Sequence, residues 1–356
     1  MKLYGKNYLK EELLKKTGAI EQIGDLKLYE MIDGPGRGLR VVNAKNGCGI
    51  NMNVLVDRGM DISELSYNAI PVNWKSAVRE ASPIYYESKG FEWLRTFNGG
   101  LLVTCGLTYA GVPCIDNGEE LGLHGRIANL PAENIFLDKH WDGENFIMTI
   151  QGTIREVKVF GDKLALKRKI TLSMDSPKII VEDIVENIGH MPSPIMIVYH
   201  INIGFPILDA GSVLLESEAK VVPRDEEASK GYKNFDKFSE PVPDYKEQVF
   251  FHDIKPDNEG NSNIGIVNEK FDNGNGLGIW LKFNKNNLPN LIQWKNVGCG
   301  EYVCGIEPSN CLTFGRKEIR ERNELVYLDP GEKKDFRIEF NVLRSRDEIT
   351  TFKNSL

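Results

Sequence analysis

The sequence lacks most of the features that mark a membrane, metal-ribbon or nucleotide-binding protein. No apolar run approaches the roughly 20 residues that a spanning helix needs. The stretch Met1 to Lys16 is charged and has no apolar core, so a secretory signal is not expected there. Six cysteines are present, at 48, 105, 114, 299, 304 and 311. None falls in a C-x-x-C pair, which argues against a zinc ribbon or a thioredoxin-like motif. They read as reduced, mostly buried thiols in a cytoplasmic protein. No glycine-rich loop follows a strand and opens a helix, so dinucleotide-binding and P-loop readings have no support. No repeat recurs at the period of solenoids or propellers. A basic excess is absent as well. The formal net charge is −7, which argues against nucleic-acid and anionic-membrane partners.

What is present is a chain of 356 residues, 41% apolar and 27% charged, enough to bury a core without disulfide or metal support. Residues 6–17 predict a short helix, with Leu9, Leu13 and Leu14 on one side and Gly18 as its C-cap. Period-2 alternation then dominates. Ile50, Met52, Val54 and Val56 alternate with Asn51, Asn53 and Leu55. Leu164, Leu166, Ile170 and Leu172 oppose Ala165, Lys167, Lys169 and Thr171. Phe336, Ile338, Phe340 and Val342 oppose Arg337, Glu339 and Asn341. Such alternation buries one face and wets the other, as antiparallel sheets do. Further strands are expected from 28–32 to 325–328, among them 146–150 and 153–160 as separate strands. Turn clusters such as Asp33-Gly34-Pro35-Gly36 and Asp329-Pro330-Gly331 separate them. The expectation is an all-β fold, with residues 1–27 as an N-terminal helical extension and 28–356 as one β-sandwich domain. The charged, proline-containing stretch 222–247 reads as a long loop, either functional or a solvated excursion.

Three residues at expected strand ends or turns carry candidate chemistry. His200 closes the run Ile195–Tyr199 and shares a face with Met196 and Val198. It is readable as an acid at a cleft or as a packed core histidine. Glu307 follows Tyr302–Ile306. A carboxylate there suits a general base if half-buried, or a structural ion pair with Arg316 or Arg320. His124 lies in Gly122-Leu123-His124-Gly125-Arg126, where flanking glycines allow close backbone approach to a ligand and Arg126 offers a bidentate fork. Arg58, Asn202, Trp294, Lys295, Asp253 and Arg316 complete the candidate substrate-binding set. Trp294 offers an aromatic face for a sugar ring, and core packing is the other reading. No H-x-H or H-E-x-x-H spacing occurs, so no metal and no cofactor are expected. A set of His124, His200, His252 and Glu307 is the metal alternative.

In order and setting, Leu123-His124-Gly125, Tyr199-His200-Ile201-Asn202 and Gly305-Ile306-Glu307-Pro308 resemble the galactose mutarotase (aldose 1-epimerase) superfamily. Asp57–Ile62, Gly99–Leu102, Thr104–Leu107, Gly122–Arg126 and Gln293–Lys295 look like a bacterial aldose 1-epimerase-like branch of unassigned function. The similarity covers about residues 28 to 343. The resemblance implies a large antiparallel β-supersandwich with a sugar-binding cleft. It implies that His200 protonates the ring oxygen, that Glu307 takes the anomeric hydroxyl proton, and that His124 orients the sugar. Gly125-Arg126-Ile127-Ala128-Asn129 follows Leu123-His124 directly, whereas the family's arginine segment comes well before its Leu-His-Gly. Arg58 is therefore the alternative to Arg126, and Asp253 stands in for an aspartate in the second half. The expected activity is sugar anomer interconversion by a monomer or homodimer. The alternatives are a sugar-phosphate or acidic-sugar epimerase, favoured by three or more cations in the cleft, a non-catalytic carbohydrate binder, and metal-dependent isomerase or lyase chemistry.

Overall fold

A computed structural model describes all 356 residues and is built almost wholly of antiparallel sheet. An eight-stranded sheet runs in the order Ala132–Asp142, Asn145–Val157, Lys163–Ser173, Lys178–Asn187, Lys333–Leu343, Leu277–Asn284, Asn261–Asn268, Val213–Glu216. Against it lies a sheet ordered Ala219–Pro223, Gln248–Ile254, Asn290–Val297, Tyr302–Ser309, Ser193–Ile203, Val326–Leu328, with Val103–Leu107 also paired to Ser193–Ile203. A five-stranded sheet from Asp25–Glu30 to Ile70–Pro71 completes the sandwich.

Alternation explains the packing. Ile50, Met52, Val54 and Val56 are buried, as are Phe336, Ile338, Phe340 and Val342, and both sets enter one large core between the sheets. In Ser193–Ile203 every residue is buried, because both faces are covered. Ile195, Ile197, Tyr199, Ile201 and Ile203 enter the large core. Met196 and Val198 enter a second cluster with Trp74, Trp93 and Phe97. His200 follows on that second face.

Four expectations need correction. The N-terminal helix spans only Lys10–Leu14. Lys6–Asn7 is taken into a small hairpin with Lys2–Leu3, and only Leu13 of the expected stripe is buried, while Leu9 and Leu14 are exposed. The five-stranded sheet begins at Asp25, inside the extension drawn over 1–27, and Leu3, Leu13 and Ile23 join the main core. The segments 146–150 and 153–160 form one strand, Asn145–Val157, because Gly152 keeps its place in the ladder opposite Arg168. Finally, Ala165 is buried rather than wet, and Arg168 sits among the core-facing residues of its strand.

Arg168 is fully buried and joins the three sheets. Its Nε and Nη2 donate to Asp183 at 2.9 and 2.6 Å, Nη1 donates to Asp61 Oδ1 at 2.9 Å and to the Gly59 carbonyl at 3.0 Å, and Nη2 reaches Thr104 Oγ1 at 2.9 Å. Tyr199 Oη donates to the same Asp183 at 2.7 Å. A buried charge is tolerable only when paired and hydrogen-bonded in this way. The network lies immediately behind His200.

Candidate active site

Three adjacent strands set the site. Val198 pairs with Ser309 and Ile201 with Ile306, so the register places His200 opposite Glu307. Ile292 pairs with Glu307 and Trp294 with Gly305 on the next strand. Gly305 is needed for this arrangement. A Cβ there would stand 2.7 Å from Glu307 Oε1 and 3.1 Å from Trp294 Cβ.

His124 comes from a turn pressed onto the edge of Val103–Leu107. Its φ of 57° lies in the left-handed region, and it is held on both sides. Its N–H donates to the Gly111 carbonyl and its carbonyl accepts from the Gly106 N–H, each at 2.9 Å. Gly125 follows at φ 79°, and a Cβ there would meet the carbonyl oxygens of Gly106 and Tyr109 at 2.3 and 2.4 Å. No side chain fits that gap, because the obstacle is backbone. Gly125→Ala is expected to displace the His124 turn, at a cost of about 1–3 kcal/mol from φ alone. Gly118→Ala, at φ 80° with nothing within 4 Å, is the control for backbone strain without collision. Thermal melts and sugar titrations of the two variants check this, and equal losses would show that the collision is immaterial.

The three side chains face one cavity of about 440 Å³, within the range of small-ligand sites. His200 Nε2 lies 3.2 Å from Glu307 Oε1. The alignment is not that of a hydrogen bond, so Oε1 lacks a partner, as do Nδ1 of His200 and of His124. The rings of His124 and His200 are perpendicular, with centroids 5.9 Å apart. Aromatic rings wall the cavity. Trp294 meets His200 edge-on at 5.4 Å, Phe97 lies 5.2 Å from His200, and Trp93 is 5.0 Å from His124. Orphaned polar atoms amid aromatic walls are costly unless a ligand or water satisfies them.

Burial governs the protonation of this group. It pushes the Glu307 carboxyl up to about 8, with the negative charge of Glu247 adding to the shift and Arg224 opposing it. It pushes His200 down to about 3, with His124 adding a smaller repulsion, and His124 down to about 4. His124 is the least buried of the three and keeps an edge open to the cavity. Both shifts in the pair run the same way, against charge separation. At neutral pH the empty pair therefore holds one proton, on the carboxyl. The assignment of a carboxylate base and an imidazolium acid contains the same number of protons. Moving one proton across the 3.2 Å gap converts one state into the other.

Of the other candidates, only Trp294 lines the cavity. Its indole N–H donates to Glu247 at 2.7 Å. Arg58 is buried elsewhere, donating to the carbonyls of Ala128 and Ala81. Arg126 is exposed and borders a separate, smaller hollow beside Glu156. Asn202 donates to the carbonyls of Gly100 and His200. Lys295 projects from the opposite face of its strand, and its Nζ donates to the carbonyls of Asn234 and Lys237. Asp253 is exposed and paired with Lys285. Arg316 pairs with Asp116 and Glu119, and Arg320 also goes to Asp116, so neither neutralises Glu307. His252 bonds Glu216 and Gln293 and does not join His124 and His200. No group of three or more His, Cys, Asp or Glu side chains is placed to hold a metal ion.

The sequence reading missed Trp74, Trp93, Phe97, Arg224 and Glu247. The last two lie at the two ends of the 222–247 excursion, bonded to each other at 3.2 Å on the cavity wall. The excursion is largely exposed, yet it is anchored at several points. Besides Lys295, Gln293 donates to the Phe235 carbonyl and Tyr302 to that of Ser239. A short helix, Glu226–Gly231, is capped by Asp225.

Comparison with known structures shows the same architecture. A protein from Klebsiella pneumoniae subsp. pneumoniae MGH 78578, provisionally described as an aldose 1-epimerase, superposes with a TM-score of 0.87 at 24% identity, over 93% of this chain and 86% of that one. A galactose mutarotase-like protein from Clostridium acetobutylicum gives 0.59 at 13% identity, over 90% and 99%. Galactose 1-epimerase from Lactobacillus acidophilus NCFM gives 0.58 at 13%, over 91% and 100%. At these identities the likeness is one of fold. No curated protein matches the sequence. No helix is long and apolar enough to cross a membrane. The model of the DUF4432 family, a domain of unknown function, matches residues 36–342, and the chain, with its galactose mutarotase-like fold, belongs to that family.

Proposed function

We propose that the cavity binds a neutral monosaccharide and interconverts its anomers. The supporting observation is the His200–Glu307 pair, set 3.2 Å apart on neighbouring strands and lining an aromatic-walled cavity. Ring opening requires a base at the C1 hydroxyl and an acid at the ring oxygen. Both oxygens are bonded to one carbon, so two groups this close can serve both. In the reading, the proton first passes from Glu307 to His200. Sugar hydroxyls that donate to the carboxylate stabilise that form. Glu307 then removes the C1 hydroxyl proton while His200 protonates the ring oxygen, so that the bond from C1 to the ring oxygen breaks and the C1 carbonyl forms. Rotation about C1–C2 presents the other carbonyl face, and closure runs the transfers in reverse.

The wall composition favours a neutral sugar over a phosphorylated or acidic one. Arg224 is the one Arg or Lys among the lining residues, and it already faces Asp225 and Glu247. Glu247 and Glu301 against the single Arg224 give the cavity a negative balance. Arg58, Arg126, Lys295 and Arg316 supply nothing to it.

The test is anomer exchange followed by NMR over neutral, phosphorylated and acidic sugars. Acceleration of at least one neutral sugar is expected. Background rates for all would remove the proposal. The pH profile is a second check. The pair works with one proton, so kcat/KM is expected to be level between about 4 and 8. It falls above that range as Glu307 gives up its proton, and below it as the imidazoles take one up. A profile centred on an unperturbed histidine near 6.5 would contradict the burial argument.

A further inference from the structure

The cavity is chemically lopsided, and the sheet order shows in which direction. Across the seven-stranded sheet the site residues run from the His124 turn at the Val103–Leu107 edge, through His200 and Glu307, to Trp294 and then Gln248–Ile254. Apart from the His124 imidazole and the Thr313 hydroxyl, the His124 end is apolar. Leu123 donates its N–H to the Gly90 carbonyl and His124 to that of Gly111, each at 2.9 Å, so Phe91 and Val112 directly adjoin this turn. Leu94 lies one turn beyond Phe91 and lines the same wall. Thr313 stands beside Val112, and the Ser76 hydroxyl is already given to the Phe97 carbonyl. The opposite end is polar, with Arg224, Glu247 and Asn296. Phe91 and Leu94 are 60% and 49% exposed, although they border a binding cavity. An apolar side chain left open at a mouth is expected to meet something apolar.

Resting on the catalytic reading above, we infer that the substrate is a 6-deoxyhexose, an aldose whose C5 carries a methyl in place of a hydroxymethyl group. With Glu307 at O1 and His200 at the ring oxygen, the pyranose continues past His200 to C5. The C5 substituent therefore projects toward His124, Phe91, Leu94 and Val112. A hydroxymethyl group there would surrender water for at most the His124 imidazole and the Thr313 hydroxyl among apolar neighbours, whereas a methyl group gains by burial. On the other side of C1, the O2 and O3 hydroxyls face Arg224, Glu247 and Asn296.

The experiment uses matched pairs of one configuration, such as D-galactose with 6-deoxy-D-galactose and L-mannose with 6-deoxy-L-mannose. Anomer exchange and ligand-observed NMR binding are measured on the full chain. For the accepted configuration, kcat/KM is expected to be at least about tenfold higher for the deoxy sugar. The ratio should fall toward one in Leu94→Asn and Phe91→Ser, whose exposed positions leave the fold intact. Exchange that is equal for both members, or faster for the hydroxymethyl sugar, overturns this inference and leaves the catalytic reading standing. A binding preference for the deoxy sugar without exchange overturns the catalytic reading and keeps the assignment of the apolar edge. Neither exchange nor preferential binding overturns both.

Discussion

Glu307→Gln is expected to lower anomer exchange by about 10²–10⁴-fold and at the same time to make the protein more stable at neutral pH. The two effects have one cause. Burial raises the folded-state carboxyl to about 8, above its ordinary value of 4.5. Between those values the unfolded chain releases a proton that the folded chain keeps. The contribution to stability is complete below the unfolded value and is lost as pH rises through the folded one. Near pH 7 the wild-type protein therefore carries a penalty on the order of 3 kcal/mol that an uncharged amide of the same shape does not. The variant should melt a few degrees higher at pH 7 and at the same temperature as wild type at pH 4. His200→Asn should lose a similar fraction of the rate without the gain, since His200 is neutral at pH 7 in the folded state. A Glu307→Gln protein within tenfold of wild-type exchange, or one that melts lower at pH 7, would contradict the assignment.

Arg168→Met is expected to be the most damaging single change outside the site. It leaves Asp183 and Asp61 buried without their cation and removes donors from Gly59 and Thr104. Breaking a buried pair from one side costs about 3–5 kcal/mol. The loss should reach activity too, because Asp183 also holds Tyr199, the neighbour of His200. A triple variant that also changes Asp61 and Asp183 to Asn should recover part of the stability, since no uncompensated charge then remains. Urea titration of the three proteins decides the matter. A single-variant loss under about 1 kcal/mol would mean that water or another cation replaces the guanidinium.

The legible part of this protein was the part governed by local pattern. Alternation at 50–56 and 336–342 reports which face is buried, because the side-chain period of a strand is two. It also sets His200 on the face of Met196 and Val198. Pattern failed where a charge took a core position, as at Arg168. It also failed to tell a charge that is spent internally from one that is available. The partners of Arg58, Lys295 and Arg316 lie 23, 58 and 200 residues away in the chain. No window of sequence contains both members. The aromatic walls were hidden for a related reason. Trp74, Trp93 and Phe97 stand in irregular segments or a short 3₁₀ turn, where no periodicity states the direction of a side chain.

His200 and Glu307 stand across from each other on strands whose ladder is paired on both sides of them, so the sheet register sets their main-chain spacing. The mouth, by contrast, is made of turns and short helical segments. Exchanges at positions such as 91, 94 or 112 can then reshape what enters while the proton-carrying centre keeps its dimensions. In a group of relatives with this fold, selectivity is free to drift independently of chemistry.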